Sequence, residues 1–161
     1  MTTSNADVTL DIGGAKLTVA ARDLFRAWLD KHIGAAPAAP ASAPFIPVLK
    51  DGEHYAGIIL GKDGATSHHL ILLPGEVEDT KWQAALDWAV RAGGELPTRR
   101  EQSLLFANLK EQFTPNWYWS SEQHSANALY AWLQYFSNGN QIINLKGGEF
   151  RARAVRRLVI F

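Results

Sequence analysis

The residues able to do chemistry in this 161-residue chain are few and scattered. Of its five histidines, His68 and His69 are adjacent on an extended segment, so their side chains point to opposite faces and do not readily share a metal ion. His54 and His124 stand alone in sequence. Carboxylates gather at Glu76, Glu78 and Asp79, just ahead of a predicted helix, where negative charge favours a helix N-terminus. That run falls short of the dense oxygen set of a calcium loop. Ser120 and Ser121 lack a nucleophile-elbow setting and His/Asp partners. Residues 61–64, GKDG, read as a turn and not as a phosphate loop. The chain has no cysteine, which removes disulfides, thiol nucleophiles and thiolate metal sites together. The sequence therefore predicts no catalytic residue, no metal and no cofactor.

A surface is what remains. Residues 117–148 interleave Asn, Ser, Gln and Gly with Tyr118, Tyr130, Trp132 and Tyr135. Binding loops favour this mixture, because rigid aromatics and adaptable amides make contacts at low entropic cost. Turns and short strands need Asn, Ser and Gly as well, so a scaffold role stays open beside the binding one. The candidate ligand-binding residues are Tyr118, Ser121, Tyr130, Gln134, Asn138 and Asn140. Within them Tyr130, Gln134, Asn138 and Asn140 are expected to face outward, and Trp119, Trp132 and Phe136 inward. Tyr130, Trp132 and Gln134 share strand parity, so a bulge or twist has to reconcile that assignment.

Three blocks carry these residues. Residues 1–33 hold an alternating hairpin pattern around Gly13-Gly14, then a helix opened by Asp23 with Leu24, Phe25, Trp28, Leu29 and Ile33 at helical spacing. A hairpin and one helix cannot enclose a core alone, so this block is expected to attach to a partner or to copies of itself. Residues 34–44, GAAPAAPASAP, read as a semi-stiff linker. Residues 45–161 hold a hairpin over 55–73 and a helix over 79–92. A second helix follows the capping box Thr98–Glu101, and short strands follow at 117–119, 129–136, 141–145 and 152–160. Asn138-Gly139 is the turn between the second and third of these strands. Two helices between an opening hairpin and a closing set of short strands make an α+β layout.

Lys plus Arg balance Asp plus Glu at 16 each, so the overall charge draws the chain to neither nucleic acid nor an anionic membrane. Arg151, Arg153, Arg156 and Arg157 form the one local excess. Of these, Arg151 and Arg153 lie opposite Ala152 and Ala154 and are expected to pair with Glu101 or Glu122, or to stack on tryptophans. The N-terminus has no signal-peptide character, and no apolar run spans a bilayer. Folding in a reducing cytoplasm is the expectation.

Several motifs then fall in one order: GELPTRRE (94–101), WYWSSE (117–122), Ala131-Trp132, FSNG (136–139) and RARAVR (151–156). Over about residues 55–158 this set resembles the DUF1566-type domains of phages, prophages and bacterial surfaces. The resemblance implies a C-type-lectin-like fold with a small hairpin-helix appendage. It also implies a non-enzymatic, tail-associated virion protein, assembled in the bacterial cytoplasm, that binds a host surface protein or glycan. Residues 1–33 would engage other virion proteins or form a homo-oligomer. The alternative is a purely structural virion accessory with no ligand of its own. The calcium-dependent sugar triplets Glu-Pro-Asn and Trp-Asn-Asp are absent, as is the cysteine pair of the formylglycine-generating enzymes, so neither of those activities is expected.

Overall fold

The computed structural model describes residues 7–32 and 47–161, in two compact units divided between Ile46 and Pro47. The predicted linker over 34–44 lies outside the described residues.

In the first unit, β1 (Asp7–Ile12) and β2 (Ala15–Ala20) pair antiparallel from Asp7↔Ala20 to Ile12↔Ala15. Gly13 and Gly14 turn the hairpin with φ of +60° and +90°, values that side chains resist. Helix α1 (Ala21–His32) follows directly, two residues earlier than Asp23 suggested. Leu10, Leu17, Leu24, Phe25 and Trp28 all remain exposed, with the Phe25 and Trp28 rings stacked 6.2 Å apart.

The second unit is α+β. Strands β3 (His54–Ile59) and β4 (His68–Leu72) form the expected hairpin, and β10 (Val155–Val159) completes a sheet of order β10-β4-β3. A five-stranded sheet runs β5-β9-β6-β7-β8, built from Val77–Thr80, Phe150–Ala152, Trp117–Gln123, Tyr130–Tyr135 and Gln141–Leu145. Helix α2 (Trp82–Arg91) lays Ala85 and Ala89 close on one face of that sheet, over Trp119, Ala131, Leu133 and Ala152. Helix α3 (Arg99–Asn108) serves the other face. There Leu105 joins Tyr118 and Phe136 with Leu70, Leu72 and Val155 of the smaller sheet.

Two expectations are corrected. The C-terminal segment is not one strand. The Arg-Ala alternation of residues 151–154 ends at the adjacent apolar pair Ala154-Val155; the chain leaves the five-stranded sheet after Ala152 and enters the other at Val155. The crossing is tied by Leu73 N–H donating to the Ala154 carbonyl, and by Arg153 donating to the carbonyls of Gln112 and Leu73 at 2.7 and 3.0 Å. Burial lowers the Arg153 pKa from its ordinary value. The acidic run does not cap a helix either. Val77 and Thr80 pair with Ala152 and Phe150 around a bulge where Asp79 has φ +43°, and α2 begins only at Trp82. Glu76 and Glu78 instead hold Arg151.

The indoles find carbonyl partners: Trp119 Nε1 donates to Thr80 O and Trp82 Nε1 to Ser120 O, each at 2.8 Å. Gly94 is required where it stands. A Cβ there would lie 2.3 Å from the Val155 carbonyl, across the Glu95↔Val155 bridge that leads the chain into α3.

The capping box forms in full. Glu101 N–H donates to Thr98 Oγ1 (3.2 Å), and Thr98 N–H donates to Glu101 Oε2 (2.7 Å). Thr98→Ala is therefore expected to lower the stability of the second unit by about 0.5–2 kcal/mol, read as a reduced urea midpoint with an unchanged m-value. An unchanged midpoint would mean that the hydroxyl contributes nothing to α3.

Candidate ligand-binding surface

The face of β7 that carries Tyr130, Trp132 and Gln134 changes character along its length. Its pairing with β8 is continuous from Tyr130↔Leu145 to Gln134↔Gln141; the register with β6 shifts between Trp119 and Gln123, opposite Leu133 and Ala131, so the extra residues lie in β6 and the alternation of β7 is unbroken. The reconciling element is α3, which covers one end of the face and stops short of the other. Beneath the helix, Gln134 is fully buried; its amide donates to the Gln102 carbonyl at 3.0 Å and accepts from Gln141 at 2.7 Å. Beyond the helix N-terminus, Trp132 and Tyr130 are half-buried. Gln134 is thus core and Trp132 is surface-facing, the reverse of the sequence expectation. Polar atoms inside a core are tolerated when each finds a partner, and Gln134 finds two.

Tyr118 is also removed from the candidate surface. It is 1% exposed, packs edge-on against Phe113 and Phe136, and donates its hydroxyl to Glu76 at 2.8 Å. Burial raises its pKa from the ordinary phenol value. Trp119 and Phe136 lie in the core as expected. Ser121 is half-buried at the sheet end where its N–H meets the Pro97 carbonyl (2.9 Å). Asn138 and Asn140 are exposed on the β7–β8 turn, with Asn140 N–H closing onto Asn138 Oδ1 at 3.0 Å. That turn follows Tyr135, and at about 3.3 Å per residue it stands about 17 Å or more along β7 from Tyr130. The candidates therefore divide into one group around Tyr130 and Ser121 and a separate pair at the turn.

Three residues outside the predicted candidate set, Arg99, Gln141 and His124, complete the first group. The Arg99 guanidinium lies over the Trp132 ring, 3.5 Å from its centroid. Arg99 Nε donates to Gln141 Oε1 at 3.0 Å, and Gln141 returns its amide N–H to the Arg99 carbonyl at 2.8 Å. The Arg99 N–H, one of the helix's free first-turn donors, goes to Glu122 Oε1 at 2.8 Å. His124 sits 5.9 Å from Trp132, tilted at 52°, and its Nδ1 is buried with no hydrogen-bond partner among the described residues. The stacking partner of a tryptophan is thus Arg99, whereas Arg151 and Arg153 were expected. Glu122 takes a backbone N–H, and Glu101 takes Arg157 and His68. A signal existed: Arg99 directly follows the cap residue Thr98, and Gln141 faces Gln134 across the Asn138-Gly139 turn.

Arg156 holds the Glu53 carboxyl at a pKa of about 2, against an ordinary 4.5. Among the described residues no group of His, Asp or Glu is arranged to hold a metal ion, and no helix is long and apolar enough to cross a membrane. No protein-family model and no curated protein matches the chain.

Proposed function

We propose that the chain is a non-enzymatic ligand-binding module of a phage or prophage virion, with a C-type-lectin-like domain akin to the DUF1566 type presenting the surface around Trp132 to a host protein or glycan. The observation that carries this reading is the Arg99–Trp132 stack. A rigid cation lies on a half-exposed indole, with Gln141 bonded to the cation, His124 against the indole and Tyr130 on the same sheet face. The ordered motifs and the Ala/Pro segment supply the virion part of the reading. The first unit serves attachment: Leu10, Leu17, Phe25 and Trp28 are exposed on an element too small to bury them, which suits docking to other virion proteins or to further copies.

The test pairs binding with folding in the full chain. Tyr130→Ala is expected to weaken binding to host cells about tenfold or more, with stability changed by about 0.5 kcal/mol or less. Asn138→Ala and Asn140→Ala, at the far turn, should leave binding near wild type. Removing residues 1–33 should abolish incorporation into particles while cell binding persists. Unaltered cell binding in the Tyr130 variant would favour the alternative, a virion accessory that uses this domain for assembly alone.

A further inference from the structure

We infer that the ligand of this surface carries a carboxylate on a sugar, an acidic residue of a glycan, and that Arg99 is the residue that reads it; the inference rests on the ligand-binding reading above. The half-buried arginines of the second unit provide the contrast. Arg151 places its Nη1 on Glu76 and Glu78, Arg153 donates to two carbonyls, Arg156 to Glu53, and Arg157 to Glu101 and Glu95. Arg99 uses only its Nε. Among the described residues neither Nη atom has an acceptor and no carboxylate oxygen lies within 4.0 Å of the guanidinium. Arg99 thus makes one guanidinium hydrogen bond where each of the other four makes two or more, and its two Nη nitrogens stay available to an acceptor from outside.

Its orientation is nonetheless fixed. Gln141 offers Oε1 to Arg99 because its Nε2 is committed to the Arg99 carbonyl and to Gln134 Oε1. Gln134 is anchored in turn on the Gln102 carbonyl. The stack on Trp132 holds the plane of the group. A chain of amides running from the half-buried Gln141 to the buried Gln134 thus aims the free edge of the guanidinium before any ligand arrives, and such preorganisation lowers the entropic cost of binding.

Two parallel N–H donors match a planar carboxylate bidentately. The Glu122 carboxylate, bound to the Arg99 backbone N–H, keeps the local field from becoming strongly positive and so favours a monoanion over a phosphate dianion. The remaining groups suit a sugar ring. Tyr130, on the same sheet face as Trp132, offers a ring for a C–H face. The two free Nη nitrogens of Arg99 and the Tyr130 hydroxyl are the polar groups left for the ring's carboxylate and hydroxyls.

The experiment titrates the full chain by calorimetry with three probes: a four-residue oligouronide, the same oligosaccharide with its carboxyls reduced to alcohols, and tetraglutamate. The oligouronide is expected to bind about tenfold or more tightly than either of the others. Arg99→Lys keeps the charge and the stem over Trp132 but loses the fork, and should erase the preference for the acid over the reduced sugar. Arg99→Gln should do the same, and if it unfolds, the lysine variant carries the test. Equal binding of the acidic and reduced sugars, or an undiminished preference in Arg99→Lys, overturns the inference while the ligand-binding reading stands. Tetraglutamate binding as well as the oligouronide transfers the site to acidic peptides and overturns the sugar assignment. If no oligosaccharide binds although the chain still attaches to host cells, the inference alone fails; if neither binds, both readings fail.

Discussion

Replacing Glu101 with alanine is expected to destabilise the second unit by about 3–5 kcal/mol, because it takes from the half-buried Arg157 guanidinium and the His68 ring the buried carboxylate they share. Glu101 is 1% exposed. Its Oε1 accepts from Arg157 Nε (2.6 Å) and His68 Nε2 (2.8 Å), and its Oε2 from Arg157 Nη2 (2.7 Å) and the Thr98 N–H (2.7 Å). One carboxylate therefore ties β10, β4 and the first turn of α3 together. Burial pushes its pKa up, but the bonds from Arg157, Thr98 and His68 outweigh that and leave it below the ordinary 4.5. The sign follows from linkage. A carboxyl lowered in the folded state contributes its stability above the unfolded value and loses it as pH falls through the folded one. Glu53, held at about 2 by Arg156, acts in the same direction. The urea midpoint of the wild type should accordingly fall between pH 4.5 and about 2. Glu101→Ala should start lower at pH 7 and fall less across that window. Glu101→Gln keeps the shape and one acceptor oxygen, so its midpoint should lie between the two. A Glu101→Ala midpoint equal to wild type at pH 7 would mean that water replaces the carboxylate without cost.

What the sequence made legible was local, and what it hid depended on neighbours distant along the chain. Gly13-Gly14, Asn138-Gly139 and the Thr98–Glu101 box announce turns and a cap, because each acts on backbone groups within a few residues. The RARAVR segment breaks its alternation at Ala154-Val155, but that mark alone does not say that the chain changes sheets. Its sheet change comes from Leu73 and Gln112, whose contacts with Arg153 span 80 and 41 residues. Glu76, Glu78 and Asp79 have the composition of a helix N-terminus, yet Arg151, more than seventy residues on, draws two of them onto a sheet edge. Gln134 was misread because alternation marks polar residues as outward, and only α3 overhead supplies the partners that let it stay inside. The same overlap, 42 residues apart in sequence, brings Arg99 to Gln141. Ser121 and Tyr130 could be read as surface from residue type alone, but their neighbour Arg99 could not.

Trp119→Ala and Trp132→Ala should differ sharply although the two indoles lie on adjacent strands. Trp119 is fully buried between α2 and the five-stranded sheet, edge-on to Phe150, with its Nε1 on the Thr80 carbonyl. Truncation there removes the ring, opens a cavity and leaves that carbonyl short of a donor, a loss of about 3–5 kcal/mol. Trp132 has its sheet neighbours on one side and the Arg99 guanidinium on the other, and is only half-buried. Losing it forfeits a cation–π contact and part of an aromatic's burial, about 1–2 kcal/mol, which leaves the domain folded. Binding should follow the opposite order. Trp132→Ala frees the Arg99 side chain to leave its fixed plane, so ligand affinity should fall steeply in a protein that still melts cooperatively. Any residual binding by Trp119→Ala should scale with its folded fraction. Denaturation curves and ligand titrations of both variants decide the matter. If Trp132→Ala proves the more destabilising, the ring is core after all; if it binds normally while folded, the stack serves the scaffold and not the ligand.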